Sequence, residues 1–210
     1  MISILVPSMR PEGLRTLLES VRDTISHPDN AEVIVGHDLD GDTIQGIARE
    51  FGQRPIGLPP RQVFSCVAAM NYLAWCSMRE YLWILNDDCV IVSRDWDLKI
   101  MAQPSGTLGV PSDEEQVGSW DFPVFTRKHL MEFGELFPHK FNSWGADSWV
   151  FQAYKRAGKL HIQDVQVEHR MRMDISDRKR MERINKMADW KKLARELDMA
   201  AYIEKLQGMK

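Results

Sequence analysis

The chain has 210 residues, 44% hydrophobic and 27% charged, which suits one compact domain with room for a small appendage and a buried core. A formal net charge of -3 is too small to name a partner, but ten Lys/Arg stand against four Asp/Glu between Arg170 and Arg195, so a basic segment follows a mildly acidic body. No apolar run approaches the roughly 20 residues that a membrane-spanning helix needs, so no membrane span is expected.

Residues 2–6 are apolar but for Ser3 and β-prone, as for a strand covered on both faces. The run is short, lacks a basic flank and is closed by Pro7, so it does not read as a secretion signal, and a cytoplasmic chain is expected. A polar loop at 8–10 leads to Pro11, which suits the first turn of a helix carrying Leu14, Leu17, Leu18 and Val21. Residues 32–35 repeat the strand pattern before an Asp-rich loop at 37–42. A second helix at 43–51 and a short strand at 55–58 follow, ending at Pro59-Pro60. Residues 63–78 read as a mostly apolar helix, and 81–85 as a fourth strand running into Asn86-Asp87-Asp88. This alternation predicts a doubly wound parallel sheet, whose ligands bind beyond the carboxyl ends of the strands. The loops at 7–10, 37–42 and 86–88 then share one rim.

In the second half, 108–110 and 122–125 read as strands of a mixed sheet, separated by a loop bearing Asp113, Glu114 and Glu115. A helix at 143–157 carries Trp144, Gly145 and Asp147 at its start, and a strand at 159–167 ends in Glu168-His169-Arg170. An amphipathic helix spans 176–207, with Met181, Ile184, Met187, Trp190, Leu193 and Leu197 near 3.6 spacing. The organisation is thus a catalytic domain over 1–172 and a basic helical extension over 173–210. Cys66, Cys76 and Cys89 lie in apolar runs without metal-binding spacing, which predicts reduced, buried thiols.

Two adjacent carboxylates after a buried strand repel each other unless a cation or hydrogen bonds hold them. Asp87-Asp88 therefore reads either as a site for Mg2+ or Mn2+, completed by phosphate oxygens and water, or as a turn capping the strand. The surroundings are more specific. Ile2-Ser3-Ile4-Leu5-Val6-Pro7-Ser8, Val33-Ile34-Val35-Gly36-His37-Asp38, Asn71 and Tyr81-Leu82-Trp83-Ile84-Leu85-Asn86-Asp87-Asp88 come in that order. Val124-Phe125-Thr126-Arg127, Phe133-Gly134, Phe141, Trp144-Gly145-Ala146-Asp147 and Lys155-Arg156-Ala157-Gly158 follow. Over about residues 1–170 this pattern resembles the family 2 glycosyltransferases.

The resemblance implies an α/β fold of GT-A type: a doubly wound, mostly parallel mixed sheet flanked by helices, here with a C-terminal helical appendage. It implies that Asp88 binds Mn2+ or Mg2+, that Asp87 faces the sugar or ribose, and that Asp38 contacts the base. Pro7, Ser8 and Arg10 match the first nucleotide-binding loop, and Asn71 matches the family's Asn ahead of the fourth strand, a further nucleotide-sugar-binding residue. Asp147 matches the general base, and His169 a histidine that completes the metal site or contacts the diphosphate. Three positions depart from the pattern. Asp40 competes with Asp38, Met70 replaces an Arg before Asn71, and Ala146 leaves Asp147 as a single carboxylate.

Plainer readings stand beside these. Asp147 also suits a helix N-cap, and His169 an ordinary hydrogen-bonding residue. Arg170 and Arg172 are diphosphate ligands or surface charge. Trp120, Trp144 and Trp149 are flat faces for a sugar or base, with at least one of them in the core. One base with no second nucleophile predicts inverting, metal-dependent transfer from an NDP-sugar, UDP-linked first, to an acceptor hydroxyl. A nucleotidyltransferase is the rival, but the loop Pro7-Ser8-Met9-Arg10-Pro11 lacks the Gly-rich character such enzymes use. A nucleic-acid-binding module on a degenerate transferase body is the other, against which Asp38, Asp88 and Asp147 are intact. The basic run Arg178-Lys179-Arg180, Arg183, Lys186, Lys191-Lys192 and Arg195 is a solvated helix face or a track for a polyanionic acceptor such as modified DNA. The apolar stripe of that helix suits packing on the domain, or a homodimer through the C-terminal helices, better than a membrane surface.

Overall fold

Strand β1 (Ile2–Pro7) is the spine of the molecule, and its alternation builds both halves of the core. Ile2, Ile4 and Val6 pack on one face with Leu14, Leu17, Trp83 and Trp96; Leu5 packs on the other with Ile34, Leu73 and Leu82. The computed structural model describes residues 1–38, 41–59, 65–111, 122–141, 145–170, 194 and 196–209. Asp40, Asp113, Glu114, Glu115, Trp120, Trp144, Arg172 and the basic run from Arg178 to Arg195 lie outside the described residues.

After β1 the chain forms α1 (Pro11–Thr24), β2 (Ala31–His37), α2 (Asp42–Glu50), β3 (Arg54–Gly57), α3 (Cys66–Cys76) and β4 (Tyr81–Ile84). Pro11 opens α1, and Leu14, Leu17, Leu18 and Val21 are its buried stripe. Ser65 caps α3, its Oγ accepting from Ala68 N at 3.1 Å. Next come β5 (Cys89–Ile91), α4 (Trp96–Met101), β6 (Leu108–Pro111), β7 (Val124–Thr126), α5 (Arg127–Phe133), α6 (Ala146–Ala157), β8 (Leu160–Gln163), β9 (Val167–His169) and α7 (Met199–Gly208).

The main sheet runs in the order β3-β2-β1-β4-β7-β6-β8, with β5 and β9 as a separate ribbon. β1 pairs in parallel with both β2 and β4, so the strand order reverses beside β1. β7 alone among these seven runs against its neighbours, β4 and β6, and β8 is parallel to β6. The expected mixed, mostly parallel sheet flanked by helices is therefore present. Among the described residues no helix is long and apolar enough to cross a membrane.

Several expectations are corrected. The single strand expected over 159–167 is two strands in different sheets. A tight turn in which Val165 N donates to Gln163 O at 2.8 Å ends β8, and β9 then pairs antiparallel with β5. β5, α4 and α5 were not expected at all. The helix expected over 176–207 does not run unbroken to its end, because Asp198 caps a new helix, accepting from Ala201 N at 2.9 Å. That helix, α7, belongs to the core: Leu206 is fully buried, and Tyr202 stacks on Phe133 at 4.2 Å and meets Trp149 edge-on at 4.7 Å. Of the cysteines only Cys89 is buried, while Cys66 is exposed because it sits at the solvent-facing start of α3.

Candidate active site

The carboxylate pair lies where β4 gives out. Leu85 N still donates to Leu5 O at 3.2 Å, and a turn closed by Cys89 N on Asn86 O at 3.3 Å then holds Asp87 and Asp88. This turn stands against the exit of β1, at the switch point where open α/β sheets bind ligands. β5 leaves the turn paired with β9, with Cys89 opposite His169. A three-residue ribbon thus carries His169, distant in sequence, to the carboxylates.

The two acids have different surroundings. Asp87 is 6% exposed, and its Oδ2 accepts from Ser8 Oγ at 3.2 Å and from Met9 N and Arg10 N at 2.8 Å each. It pins the loop after β1, which Ser8 N also ties to Gly36 O of β2 at 2.8 Å. Asp88 faces two cationic or polar heads: Arg10 Nη1 lies 2.5 Å from its Oδ2, and His169 Nε2 lies 3.1 Å from its Oδ1. Its backbone carbonyl accepts from Arg170 N at 2.8 Å. Burial pushes the Asp87 carboxyl above the ordinary range, against the pull of the Met9 and Arg10 amides. Burial also acts to raise Asp88, but His169 and Arg10 outweigh it and hold that carboxyl below the ordinary value.

Two residues that the sequence did not mark out support this corner. A Cβ on Gly13 would stand 2.5 Å from the Asp87 carbonyl oxygen, so only glycine lets the first turn of α1 approach the acidic turn this closely. A glycine inside an otherwise regular amphipathic helix was the available signal. Phe122 holds a left-handed backbone (φ 62°), a strain on the order of 1–2 kcal/mol. Its carbonyl accepts from Trp83 Nε1 at 3.1 Å, and its ring meets His169 edge-on at 5.2 Å. No sequence signal announces that conformation.

The other expected site residues are placed as follows. Pro7 ends β1 opposite Gly36. Asp38 follows β2, its carbonyl accepting from His37 Nδ1 at 2.8 Å and from Gly41 N at 3.1 Å. Asn71, on α3, spends its carboxamide on the turn before Pro138: Nδ2 donates to Phe137 O at 2.8 Å, and Oδ1 accepts from Leu136 N and Phe137 N at 2.9 and 3.1 Å. Arg170 is turned outward, its guanidinium on Glu168 Oε2 at 2.9 Å. Trp149, the one of the three candidate tryptophans among the described residues, lies in the core, 5% exposed against Phe141 and Tyr202.

Asp147 is the second residue of α6, entered through Gly145 at φ 83°, and its Oδ1 accepts from Ser148 N at 2.7 Å. α6 feeds β8 directly, and β8 runs in the direction of β4. A helix running back to such a strand starts at the carboxyl edge of the sheet. Asp147 therefore starts its helix on the edge that carries Asp87 and Asp88.

Among the described residues no three His, Cys, Asp or Glu side chains gather as a complete metal cage. Asp88 and His169 offer one oxygen and one nitrogen 3.1 Å apart. That pair fits a cation that takes its remaining ligands from a phosphate-bearing substrate and water.

No family model matches the chain, and no curated protein matches it in sequence. Solved structures do match. Staphylococcus aureus TarS 1-349 in complex with UDP-GlcNAc aligns over 99% of this chain and 71% of that chain, with TM-score 0.62 and 16% identity. The mannosyltransferase PcManGT from Pyrobaculum calidifontis, with GDP-Man and Mn2+, aligns over 77% of this chain and 53% of that one, with TM-score 0.61 and 15% identity. GalNAc-T7 with UDP, GalNAc and Mn2+ aligns over 83% and 44%, with TM-score 0.66 and 11% identity. The molecule has the GT-A fold of these sugar transferases. It spans only 34% of the longer TarS chain and about half of PcManGT.

Proposed function

We propose that this chain is a glycosyltransferase that moves a sugar from a nucleoside diphosphate to an acceptor hydroxyl with inversion. One observation carries the reading: on a GT-A fold, at the β1/β4 switch point, Asp88 stands between the guanidinium of Arg10 and the imidazole of His169. A diphosphate needs that mixture of cation and metal-ready carboxylate.

In this reading Pro7, Ser8 and Arg10 line the nucleotide, with Asp87 as the anchor of their loop. Asp38, or Asp40 beside it, meets the base. Asn71 positions the segment that leads to α6, and Trp144 flanks the sugar, whereas Arg170, turned outward onto Glu168, lends the site its backbone N–H on the Asp88 carbonyl. Asp88 and His169 hold the divalent ion, Mn2+ ahead of Mg2+, because an imidazole nitrogen suits Mg2+ poorly. Such an ion, when bound, offsets the charge that grows on the leaving diphosphate. Asp147 takes the proton of the acceptor hydroxyl. Ala146 stands beside it where a second carboxylate would precede Asp147, which supports single displacement.

UDP in two of the matched structures supports a UDP-sugar donor, and GDP-Man in the third keeps the nucleotide open to test. The basic run from Arg178 to Arg195 supports a polyanionic acceptor such as modified DNA. A cytoplasmic setting agrees with the low cysteine content, three in 210 residues. Against nucleotidyl transfer, Gly13 serves the approach of α1 to Asp87 rather than a glycine-rich phosphate loop. The test is thermal stabilisation by a panel of nucleotides and nucleotide sugars with Mn2+. At least one NDP-sugar and its NDP should raise Tm by several degrees, and a panel with no response contradicts the reading.

A further inference from the structure

We infer that Arg10 is a resident counter-cation of the Asp88 site, which gives up its place when a nucleoside diphosphate arrives with its divalent ion and carries its charge to the diphosphate instead. This rests on the function proposed above and adds to it a way of coupling metal to nucleotide. The geometry is specific. Arg10 Nη1 lies 2.5 Å from Asp88 Oδ2 and 3.5 Å from Asp87 Oδ1, so a single guanidinium serves both acids. Its side chain is 42% exposed while the carboxylates are 9% and 10% exposed, so the head reaches inward from solvent on a long stem.

The backbone of Arg10 is held at both ends. Its N donates to Asp87 Oδ2 at 2.8 Å, and its carbonyl accepts from Leu14 N at 2.9 Å to begin α1. The side chain can therefore swing while the loop stays in place.

Charge decides the exchange. Arg10 offsets one of the two negative charges at Asp87 and Asp88. A divalent ion on Asp88 adds two positive charges beside that guanidinium, and two carboxylates do not hold both comfortably. A diphosphate changes the balance, because its oxygens accept from a planar guanidinium in the bidentate manner arginine favours. Arg10 thus weakens binding of the metal alone and strengthens binding of metal and nucleotide together.

The test measures Mn2+ affinity by electron paramagnetic resonance for the wild type, Arg10→Met and Arg10→Lys, each with and without UDP. Arg10→Met keeps the apolar stem without the charge; it should bind Mn2+ alone about tenfold more tightly than the wild type. UDP should raise its Mn2+ affinity about tenfold less than it does for the wild type, because the coupling passes through Arg10. Arg10→Lys keeps the charge and should stay near the wild type without UDP. A residue that merely braces the loop leaves the coupling between Mn2+ and UDP unchanged in both variants, and that result, or Mn2+ binding by Arg10→Met no tighter than by the wild type, overturns the inference. A separate calorimetric titration of UDP into the wild type distinguishes the two claims. Binding of UDP with unaltered coupling removes only the role of Arg10, whereas no binding of UDP, GDP or any other nucleoside diphosphate of the panel removes the proposed function as well.

Discussion

Asp87 and Asp88 are neighbours in sequence with opposite electrostatic fates, and the division follows from what each one touches. Asp87 is buried on backbone amides and serves the loop; Asp88 is held ionised by His169 and Arg10 and faces the site. Asp147 belongs to the chemical step in our reading, so Asp147→Asn should lower kcat for sugar transfer by at least a hundredfold while leaving NDP affinity within about threefold. Steady-state kinetics beside calorimetry measure both, and near-normal turnover contradicts the base assignment. A second prediction concerns His129, sealed between Tyr154 OH at 2.7 Å and Leu136 O at 3.2 Å. Burial lowers its pKa from 6.5 to about 3. Above pH 6.5 the ring is neutral whether folded or unfolded; as pH falls towards 3 only the unfolded chain takes the proton, so stability falls with it. Replacing it by His129→Gln should cost stability at pH 7, and the gap to the wild type should narrow by about 3 kcal/mol by pH 4 in urea denaturation. A gap that is constant with pH contradicts this. At this scale the sequence showed which acids to watch, because Asp87, Asp88 and Asp147 follow or begin regular elements. It did not show that Asp87 would be consumed by amides, because the path of the loop after β1 is set by tertiary packing.

Elements of regular period were legible and short ones were not. β1, β2 and β4 are apolar runs, and α1 has a clean stripe, so their places matched expectation to within a residue or two. β5 and β9 have three residues each, too few for a period, and their pairing is what brings His169 to Asp88. The break before α7 was hidden because Asp198 has the polarity of a helix surface as well as the chemistry of a cap. Gly13 shows how one element limits another: the first turn of α1 touches the acidic turn through it. Gly13→Ala normally favours a helix, yet here its methyl group meets backbone, so the turn or the helix must shift. We expect a loss of about 1–3 kcal/mol in denaturant unfolding, with a clear fall in UDP affinity. A variant as stable as the wild type contradicts the close packing assigned to that position.

For the whole molecule, alternation of strand and helix foretold the parallel half of the sheet and the exits of β1, β2 and β4 on one rim, while the resemblance to the family 2 glycosyltransferases implied the GT-A fold that the solved structures bear out. The depth to which the C-terminal helix enters the core was not legible, because Tyr202, Leu206 and Met209 are apolar positions that suit a subunit interface equally well. The fold brings three things to one edge: a pinned loop after β1, an ionised carboxylate after β4, and a histidine carried in by a two-stranded ribbon. In our reading, together they make a place for a diphosphate and its cation. The direct test is a calorimetric titration of UDP, in the presence of Mn2+, into the wild type and Asp88→Asn. We predict saturable binding by the wild type, strengthened by Mn2+, and a loss of at least tenfold in affinity together with the Mn2+ dependence in the variant. Equal binding by the two proteins would contradict the assignment of Asp88 as the centre of the site.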